Sequence, residues 1–575
     1  MKINIKPSEN SINYLKFLLP LLFAVNLANA APPVDAGSIQ RDIEKLNSPN
    51  LPPVAPALPK DEAVPAQQGD VVITVKAFQF VGANLLPEAL LQAEVQSYIG
   101  QTLDYNGLNL VTKKISELYR KNGWLAKVYL PPQDIQNGLV TIEINEAKLG
   151  EVKTNVEPNA RLNPKLATGM LTQAQEKGAA LNNKILERAM LLINDTPGFK
   201  AQATLSPGAQ TSETDITLNL ADEPIFNASI WADNYGSRQI GKARVNGQLN
   251  FNNLTGMGDA LHIQALKSRG LEYVSGGLDF PLGYAGTRMD IGAAVTNYKL
   301  VGDGLSDLEA MGDSYSVRVG IKHPIIRSLY TNLMLQGNVE ELNSTDTVLG
   351  FEISDKRYRS FTLGLKGDSS DSFGFGNGGT FWGGVSLTTG DLDLQNRDDF
   401  AADKLTARTD GGYNKLNFYL GRQQILTEKW SLKALLSGQL ADSNLGGFEK
   451  FSLGGPAGLN GFTVGEAAAD QGWMLNTEAR YAVTSQLSAS LLTDAGGVCQ
   501  FKNTWAGWNA GNPKLENCYQ LASAGVGLGY AHQLFDARLS YARQITSNRG
   551  ADSNGNDSEG ENRKHQLWLQ VSTHF

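Results

Sequence analysis

The sequence predicts a transmembrane β-barrel of about 16 antiparallel strands, preceded by two small α+β modules and an N-terminal helix. Three observations support this fold class. Segments of alternating apolar and polar residues fill the C-terminal part of the 575-residue chain. One order of strands and helices occurs twice before them, which indicates a tandem repeat. A pattern typical of a secretory leader stands at the N-terminus.

Residues 1–30 are predicted to be a signal peptide. Lysines precede an apolar run from Phe17 to Ala28, and the run closes with the small residues Ala28, Asn29 and Ala30. This arrangement is typical of a leader that is cleaved after Ala30. The run is too short to remain in a bilayer as a helix, and no later stretch of ~18 continuous apolar residues replaces it. A helical membrane protein is therefore not expected.

Residues 31–47 contain a short polar helix candidate at positions 35–46, which Asp35 or Ser38 can cap. Residues 48–70 follow, and their repeated prolines favour an extended, polyproline-like linker. We therefore expect a helix that is tethered to the rest of the chain but does not pack against its neighbours in sequence.

Residues 71–147 show the order strand, helix, helix, strand, strand. The clearest element is a helix at 105–121, whose apolar residues fall at helical spacing and which ends at an Asn-Gly pair. Residues 148–222 repeat this order, with helices near 164–173 and 183–192. Two copies of one module predict a periplasmic arm. Two unrelated small α+β domains are the alternative.

Residues 223–575 are predicted to form the barrel. Apolar side chains at alternate positions would face lipid and the polar ones between them would face the interior; one such segment carries Tyr315, Val317, Val319 and Ile321. A soluble β-sandwich also alternates, but it does not need so many strands. Roughly sixteen segments follow Phe226, and an even number lets both ends of the barrel lie on one side of the membrane.

Short and long connections alternate between these segments. Tight turns at 281–286 and 324–328 are expected in the periplasm, and long polar loops at 390–412, 441–470 and 546–561 are expected outside the cell. The predicted location is the outer membrane of a Gram-negative bacterium, with the two modules in the periplasm.

The chain has two cysteines, Cys499 and Cys518. In an exported protein a close pair indicates one disulfide. A metal site is the less favoured interpretation because no histidine lies nearby. We expect the disulfide to cross the extracellular loop between the thirteenth and fourteenth strands.

Catalysis, cofactors and nucleic acid find no support in the sequence. The formal net charge is -8, from 50 Lys and Arg against 58 Asp and Glu, so no polyanion-binding surface is indicated. Five histidines show no metal-ligand spacing, and no Ser-His-Asp grouping stands out. Gly374, Gly376 and Gly379 fit G-x-G-x-x-G, yet they lack the strand, helix and acidic residue that a dinucleotide site requires. We predict no enzyme activity, no cofactor and no metal.

The last predicted strand places Leu567, Leu569, Val571, Thr573 and Phe575 on one face. A final phenylalanine resembles the C-terminal signal by which the barrel assembly machinery recognises outer-membrane barrels. Phe575 is therefore the candidate assembly signal.

Three short motifs complete the pattern. The second module carries Asn194, Asp195, Thr196, Pro197 and Gly198, followed by Pro207 and Gly208. A predicted loop between the eleventh and twelfth strands carries Gly454, Gly455, Gly458, Asn460, Gly461 and Phe462. A later strand carries Asp494 and Gly496. In this order, the three motifs resemble the second-POTRA signature, the loop motif and the wall motif of the two-partner secretion transporters, and the order of the segments resembles that family too. These transporters are the haemolysin activation/secretion (TpsB-type) family, which belongs to the POTRA-barrel superfamily.

The resemblance implies an arm of two POTRA domains that binds the secretion domain of one large exoprotein, and a pore that the N-terminal helix plugs at rest. The glycine-containing loop would lie inside the barrel. Outer-membrane lipid and lipopolysaccharide would surround the barrel. An extended substrate would add a strand to a POTRA sheet edge. Folding outside the cell buries apolar area at ~25 cal/mol per Å² and makes return unfavourable, so no nucleotide is needed.

One position departs from the family pattern, because Asn460 stands where Arg is usual. We expect the loop to fold into the lumen and to place Asn460 near Asp494, joined by a hydrogen bond instead of a salt bridge. A neutral donor gives a weaker contact than a bidentate Arg. Packing of Phe462 and backbone contacts of the glycines would then hold the loop tip.

Three other functions compete with export. An outer-membrane assembly insertase usually carries more POTRA modules and lacks the plug helix with its Pro-rich linker. A passive porin or solute receptor does not need a periplasmic arm, and a membrane-anchored enzyme has no supporting residues here. The sequence leaves the exported partner open among an adhesin, a cytolysin, a haem-acquisition protein and a contact-dependent toxin.

Overall fold

The fold was determined from a computed structural model, which describes residues 35–47, 72–135, 137–158, 160–302, 305–510 and 512–575. The predicted signal peptide and the predicted Pro-rich linker lie outside the described residues. The N-terminal helix, both α+β modules and the barrel lie within them. Among these residues, no helix is both long and apolar enough to cross a bilayer.

The N-terminal helix α1 spans Ala36–Asn47. It begins at a reciprocal cap, in which the Ser38 backbone N–H donates to Asp35 Oδ1 (2.6 Å) and the Ser38 hydroxyl donates to the Asp35 carbonyl (2.9 Å). Ala36, Ile39 and Ile43 lie on one face of the helix and are buried against the barrel wall. The helix therefore packs inside the barrel against strands far from it in sequence.

The two modules share one topology. The first module contains β1 (Ile73–Thr74), β2 (Ala77–Val81), α2 (Glu88–Val95), β3 (Thr102–Leu103), α3 (Tyr105–Lys121), β4 (Ala126–Tyr129) and β5 (Leu139–Glu146). The second contains β6 (Lys148–Val156), α4 (Pro164–Ala174), α5 (Asn183–Asn194), β7 (Phe199–Pro207) and β8 (Glu213–Asp222). Their sheets have the orders β2-β5-β4 and β6-β8-β7, each with one parallel and one antiparallel pair. The prediction of a repeated α+β module is confirmed.

The modules are joined into one arm. Trp124 and Asn182 form a β-bridge, and the Leu125 backbone N–H donates to the Leu181 carbonyl (3.1 Å). Leu125, from the first module, also packs against the apolar core of the second. Because backbone bonds and shared apolar contact cross the junction, the two modules are fixed relative to each other.

The barrel closes on itself. Its strands are β9 (Phe226–Asp233), β10 (Arg244–Asn252), β11 (Ala260–Lys267), β12 (Leu271–Pro281), β13 (Arg288–Lys299), β14 (Met311–Arg327), β15 (Thr331–Val348), β16 (Phe351–Asp371), β17 (Gly379–Leu394), β18 (Gly411–Ile425), β19 (Trp430–Ala441), β20 (Gln471–Ala482), β21 (Leu487–Cys499), β22 (Cys518–Ala531), β23 (Phe535–Gln544) and β24 (His565–His574). Neighbours are antiparallel, and β24 pairs with β9. The predicted 16-strand antiparallel barrel is confirmed.

The strands show the two faces that the alternation predicts. On β14, Tyr315 and Val317 are exposed on the outer wall, whereas Ser314 and Ser316 are buried inside. The inner pair is covered by α1. The outer face is thus apolar and fits a hydrocarbon environment.

The connections follow the predicted asymmetry, with two corrections. The tight turn predicted at 324–328 lies at Ser328–Tyr330 instead, because β14 continues through a bulge between Pro324 and Ile326. A bulge accommodates a proline, which lacks an N–H for the ladder. The loop predicted at 390–412 begins later, since β17 extends to Leu394, and it contains an unpredicted helix, α6 (Arg397–Leu405).

The glycines of the G-x-G-x-x-G pattern lie at a barrel turn. Gly374 and Gly376 are between β16 and β17, and Gly379 is the first residue of β17. The element that follows them directly is strand β17, which pairs with β16. This geometry is that of a hairpin and lacks the strand-to-helix turn of a dinucleotide site.

Cys499 and Cys518 are joined by a disulfide. Cys499 ends β21 and Cys518 begins β22, the thirteenth and fourteenth strands, and the two residues are directly paired in the ladder. The bridge closes the base of the long loop between these strands.

We predict that the purified, unreduced protein does not react with a thiol-specific reagent and that it takes up two labels after reduction in denaturant. Closing a loop of this length stabilises on the order of 3 kcal/mol in the chain-entropy model. The Cys499→Ser/Cys518→Ser variant should therefore keep its barrel but lose protease resistance between the two positions. Full labelling of both cysteines without reduction would contradict the disulfide.

Candidate functional site

The lumen is occupied by helix α1, which is bonded to the inner wall. Gln40 is 0% exposed. Its Nε2 donates to Ser316 Oγ (2.9 Å), and its Oε1 accepts from Ser314 Oγ (2.8 Å) and from Thr296 Oγ1 (3.4 Å). One amide therefore joins the middle of the helix to β13 and β14.

The start of α1 is also held by charge. Asp35 forms an ion pair with Lys356 of β16 (3.4 Å). The Ala36 backbone N–H donates to Asp346 Oδ1 of β15 (3.1 Å). A helix N-terminus carries partial positive charge, so a carboxylate at this place is favourable. The helix is thus bonded to four consecutive strands of the wall.

A second element, the loop of residues 442–470 between β19 and β20, folds into the lumen and contacts the other side of α1. Arg41 Nη1 donates to the Gly447 carbonyl (2.7 Å), and Lys45 Nζ donates to the Ser452 carbonyl (2.6 Å). These two bonds link the helix to the loop, so the two lumen-filling elements contact each other as well as the wall.

The loop has its own apolar core against the wall. Phe462 is fully buried, as are Leu453 and Leu459. The wall contributes Met474, Val498, Tyr519 and Leu521 to the same cluster. Phe462 thus packs in an apolar cluster between the loop and the wall, where a packing role was predicted for it.

A buried ion pair that the sequence analysis missed fixes the base of the loop. Lys450 Nζ contacts Asp470 Oδ1, and both side chains are almost fully buried. Asp470 also accepts from the backbone N–H groups of Leu445 (3.1 Å) and Lys502 (2.8 Å). The carboxylate therefore has several donors, which is the condition under which a buried charge is tolerated.

The loop tip lies at Asp494, and Asn460 contacts it. Asn460 Nδ2 donates to Asp494 Oδ2 (3.1 Å), and the Asn460 backbone N–H donates to the same oxygen (3.0 Å). Ser523 Oγ (3.0 Å) and Asn476 Nδ2 (2.9 Å) donate to the carboxylate as well. The structure thus brings together the two residues that the sequence analysis paired, and it adds a backbone bond and two wall donors.

Glycines allow the loop to turn tightly above this contact. Gly455 has φ +108°, which side chains rarely adopt. A Cβ on Gly458 would lie 1.9 Å from the Leu453 carbonyl oxygen, so no larger residue fits there. Gly454 donates its N–H to the Glu466 carbonyl (3.0 Å). These three residues form the turn that presents Asn460.

Gly461 and Gly496 lie where loop and wall meet. The Gly461 N–H donates to Ser523 Oγ (3.2 Å). A Cβ on Gly496, in β21, would approach the Leu453 side chain to 2.7 Å. The predicted wall motif therefore supplies a carboxylate for the loop tip at Asp494 and space for the loop core at Gly496.

Two further loop contacts were not found from the sequence. Trp568 Nε1, on the last strand, donates to the Asn460 carbonyl (2.8 Å). Glu466 accepts from the Ser558 N–H (2.8 Å) and from Asn548 Nδ2 (2.7 Å) of the loop between β23 and β24. The partners are about a hundred residues from the loop, and no local pattern marks them.

The signature of the second module lies at its contact with the barrel. Asn194 ends α5 and exchanges hydrogen bonds with Ala201 of β7 (2.8 and 3.1 Å). Pro197 and Gly198 form the turn between these elements. Gly198 has φ +87°, and a Cβ there would lie 2.4 Å from the side chain of Asn253 in the first periplasmic turn. A glycine is required at this approach.

Asp195 connects the same turn to β14. Its carboxylate forms a bidentate pair with Arg327, at 2.6 Å (Nε) and 2.7 Å (Nη2). Such a pair fixes orientation as well as distance. The signature residues at 194–198 therefore dock the second module on the barrel.

The remaining signature residues shape the far end of the module. Pro207 ends β7, and the Gly208 N–H donates to the Glu213 carbonyl (2.9 Å). Asp215 lies beside them, where its hydrogen bond with Lys153 (2.8 Å) holds the pKa of this carboxyl below its usual range. Pro207 and Gly208 thus form part of the β7–β8 hairpin.

Phe575 continues the pairing of the last strand with the first. Its N–H donates to the Ala228 carbonyl (2.8 Å), and its carbonyl accepts from the Ala228 N–H (3.1 Å). The ring itself is 70% exposed. Within the described residues, no group of three or more His, Cys, Asp or Glu side chains could hold a metal ion.

A closed barrel, a two-module arm docked on its periplasmic turns and a lumen filled by a helix and a loop define the class of outer-membrane POTRA-barrel transporters. The family model of the haemolysin secretion/activation protein ShlB/FhaC/HecB matches residues 212–530, and that of the POTRA domain, ShlB-type, matches residues 73–147. The chain belongs to the ShlB/FhaC/HecB haemolysin secretion/activation family.

Known proteins resemble the chain over most of its length. It is 28% identical over 490 residues to the heme/hemopexin transporter protein HuxB of Haemophilus influenzae (strain 86-028NP), covering 84% of this chain and 83% of that protein. It is 25% identical over 492 residues to the outer membrane transporter CdiB of Escherichia coli O6:K15:H31, covering 81% of each. The solved structure of CdiB from Escherichia coli has the same fold, with TM-score 0.68 and 18% identity, covering 94% of this chain and 99% of that one.

These findings confirm the family that the sequence resembled. The protein is an outer-membrane transporter of two-partner secretion that exports a cognate exoprotein, with its POTRA domains in the periplasm.

We predict that Asp494→Ala lowers secretion several-fold but leaves surface expression of the barrel close to normal. The substitution removes the acceptor of four hydrogen bonds, and each bond to a charged group contributes about 1.5 to 3 kcal/mol. Asn460→Ala should have a smaller effect, because the backbone N–H of residue 460 still reaches the carboxylate. Exoprotein in the culture medium is measured against barrel on the cell surface.

Two variants serve as controls for this prediction. Asp494→Asn keeps the shape of the side chain and an acceptor oxygen, so its defect should be intermediate. Asn460→Arg should be tolerated, since a guanidinium can replace the amide bond with an ion pair. Full secretion by both Asp494→Ala and Phe462→Ala would contradict a functional role for the loop contact.

Proposed function

We propose that the structure is the resting state of the transporter, and that a large exoprotein with an N-terminal secretion domain passes through the lumen after α1 leaves it. The main support is the kind of contact that holds α1: side-chain hydrogen bonds to the wall and to the loop of residues 442–470, two terminal contacts and a small apolar face. None of these belongs to the barrel ladder. The helix can therefore exchange its partners for water without unpairing any strand.

We further propose that the loop motif and Asp494 keep the loop of residues 442–470 in place while the helix moves. The loop has a buried ion pair at its base, an apolar core and a four-donor carboxylate at its tip. It is thus attached more strongly than α1. Withdrawing the helix alone would already widen the path beside β13 to β15.

The POTRA modules are proposed to capture the exoprotein by adding a strand to a sheet edge. In the orders β2-β5-β4 and β6-β8-β7, each outer strand has a neighbouring strand on one side only within the described residues, although the start of β6 is also bonded to residues 178–180. Main-chain hydrogen bonds along such an edge recognise an extended chain largely independently of its sequence. Export then proceeds without nucleotide and without any covalent step by this chain, because folding outside the cell makes return unfavourable.

The processing and assembly of the chain are proposed from its sequence. Residues 1–30 would be removed as a signal peptide, 31–47 would form the plug and 48–70 its linker. Residues 71–147 and 148–222 would be the two POTRA domains, and 223–575 the barrel. Phe575 would be read by the barrel assembly machinery, and the apolar outer wall would contact lipid and lipopolysaccharide.

The cargo is proposed to be defined by its secretion domain. HuxB is named for heme/hemopexin transport and CdiB as an outer membrane transporter. The chain resembles both to a similar extent over arm and barrel. The similarity in both arm and barrel therefore supports recognition of a common type of secretion domain. The activity of the exported protein does not depend on this recognition.

We predict that deletion of residues 31–46 leaves the barrel assembled but raises its conductance in planar bilayers, because a helix inside a pore excludes ions by volume. Assembly is checked by heat-modifiable migration in gels. Unchanged single-channel conductance would mean that the helix does not limit the pore.

A point substitution should give a weaker form of the same effect. Gln40→Leu keeps the size of the side chain but removes its bonds to Ser314 and Ser316, so we expect more frequent or longer openings than in the parent protein. Gln248→Leu is the matched control, since Gln248 lies on β10 and bonds to Asn250 of the same strand (3.1 Å). Equal gating in the two variants would argue against a helix held by Gln40.

We predict that deletion of residues 71–146 abolishes export while the barrel still inserts, because capture and pore formation lie in separate parts of the chain. Secreted exoprotein and surface-exposed barrel are quantified in the same cells. Normal export by the truncated chain would rule out a capture role for the first module.

A further inference from the structure

The fourth periplasmic turn, residues 372–378 between β16 and β17, exposes two aromatic rings. Phe373 is 75% exposed and Phe375 is 89% exposed. Both rings belong to a turn whose glycines, Gly374 and Gly376, have φ of +96° and +88°. Apolar rings with so much surface in water are unfavourable, so an apolar partner for them is expected.

The turn is held in one position by side chains of β18. Arg422 forms a bidentate pair with Asp371 (3.0 Å to each oxygen), and its Nη2 donates to the Phe373 carbonyl (2.7 Å). Gln424 Nε2 donates to the Phe375 carbonyl (2.7 Å). The rings are therefore carried on a fixed scaffold.

These contacts come from the outer wall of the barrel. Arg422 is two residues from Leu420, so the two side chains lie on the same face of β18. Leu420 is exposed there, on the lipid-facing side. The guanidinium lies over the ring of Phe381 (4.1 Å to the centroid), which shares its face of β17 with the exposed Val385 and Leu387. The turn thus leans outward, toward lipid and away from the lumen.

The neighbouring turns divide into two groups. The first three periplasmic turns contact the second POTRA module. In the first turn, the Gly256 carbonyl accepts from the Asn163 N–H (2.9 Å). In the second, Tyr284 lies so close to Gly169 that a Cβ there would touch it, and in the third the Leu329 N–H donates to Glu187 (2.9 Å). The fourth turn is the first beyond this footprint.

Further aromatic pairs lie at the periplasmic ends of the strands that follow. The rings of Trp430 and Tyr481 are 4.9 Å apart, and those of Tyr530 and Phe535 are 5.4 Å apart. Aromatic rings gather at the level of lipid headgroups on outer-membrane barrels. The exposed turn is therefore continuous with an interfacial belt.

We propose that Phe373 and Phe375 form a membrane anchor, with their rings inserted among the lipid headgroups of the periplasmic leaflet. Arg422 and Asp371 would lie at headgroup level, where an ion pair remains hydrated, and the rings would extend the apolar outer wall. The anchor fixes the depth of the barrel beside the docked arm. This inference rests on the outer-membrane location and is independent of how the cargo is recognised.

A polypeptide entering the pore is the other conceivable partner of the rings. It would require rings directed at the lumen, whereas the residues that orient the turn, Arg422 and Gln424, lie on the outer face of β18. The lipid leaflet is therefore the occupant that the geometry supports.

The test is a depth measurement on the full chain in vesicles of phosphatidylethanolamine and phosphatidylglycerol. Phe375→Cys is labelled with an environment-sensitive fluorophore; the native cysteines are in their disulfide and do not react. Lys177→Cys on the second POTRA module is the water control, and Leu363→Cys on the outer wall of β16 is the membrane control. Lipids carry a quencher either near the headgroup or in mid-chain.

We expect emission from position 375 to be blue-shifted relative to position 177, and quenched more by the headgroup-level quencher than by the mid-chain one. Position 363 should show the opposite preference for quencher depth. Ser372→Cys is a second reporter that keeps both phenylalanines and should also be quenched near the headgroup. Heat-modifiable migration verifies that each variant is folded. Emission from positions 375 and 372 that matches position 177, with no lipid quenching, would overturn the anchor.

Discussion

The whole structure depends on one constraint: in the hydrocarbon layer every backbone N–H and C=O must be paired. The barrel meets it by pairing β24 with β9. Where this ladder ends, the Asn234 side chain continues it, with its Nδ2 donating to the Leu567 carbonyl (2.8 Å) and its Oδ1 accepting from the Leu569 N–H (2.9 Å). Closure with sixteen strands has a consequence, because an interior of this size is too wide for wall side chains to fill. Another part of the chain must close the pore.

Helix α1 and the loop of residues 442–470 close it in different ways. The loop is anchored by a buried ion pair and by a carboxylate, Asp494, that receives four donors. Since one of these donors is the backbone N–H of residue 460, the contact does not depend on an arginine at that position. The helix has one ion pair and scattered hydrogen bonds to the wall and to the loop, and its apolar face is small. This difference supports a transporter in which the loop stays and the helix moves.

The sequence predicted those features that are local in the chain. Alternation along strands, helical spacing in the modules, the cysteine pair and the outward face of each strand all follow from a few neighbouring residues. The Asn460–Asp494 contact was anticipated only through motifs. The sequence did not predict the contacts of the Lys450–Asp470 pair, of Trp568 and of the Gln40 amide, because tertiary folding decides which residues meet there. Gln40 and its partner Ser316, for example, are 276 residues apart in the chain. Helix α6 was missed although its Asn396 cap and acidic first turn are visible, since they lie within a long polar loop.

The most direct test of a movable plug is to lock α1 in the lumen. A Cβ on Gly37 of α1 would lie 3.8 Å from Ser344 Oγ of β15. This spacing is within reach of a disulfide, so Gly37→Cys with Ser344→Cys should form one in the oxidising periplasm. We expect the locked protein to assemble normally and to export no exoprotein. Mild reduction should restore export, and each single variant should export throughout. Undiminished export by fully cross-linked protein would contradict a movable plug, because the helix would then not have to leave the pore.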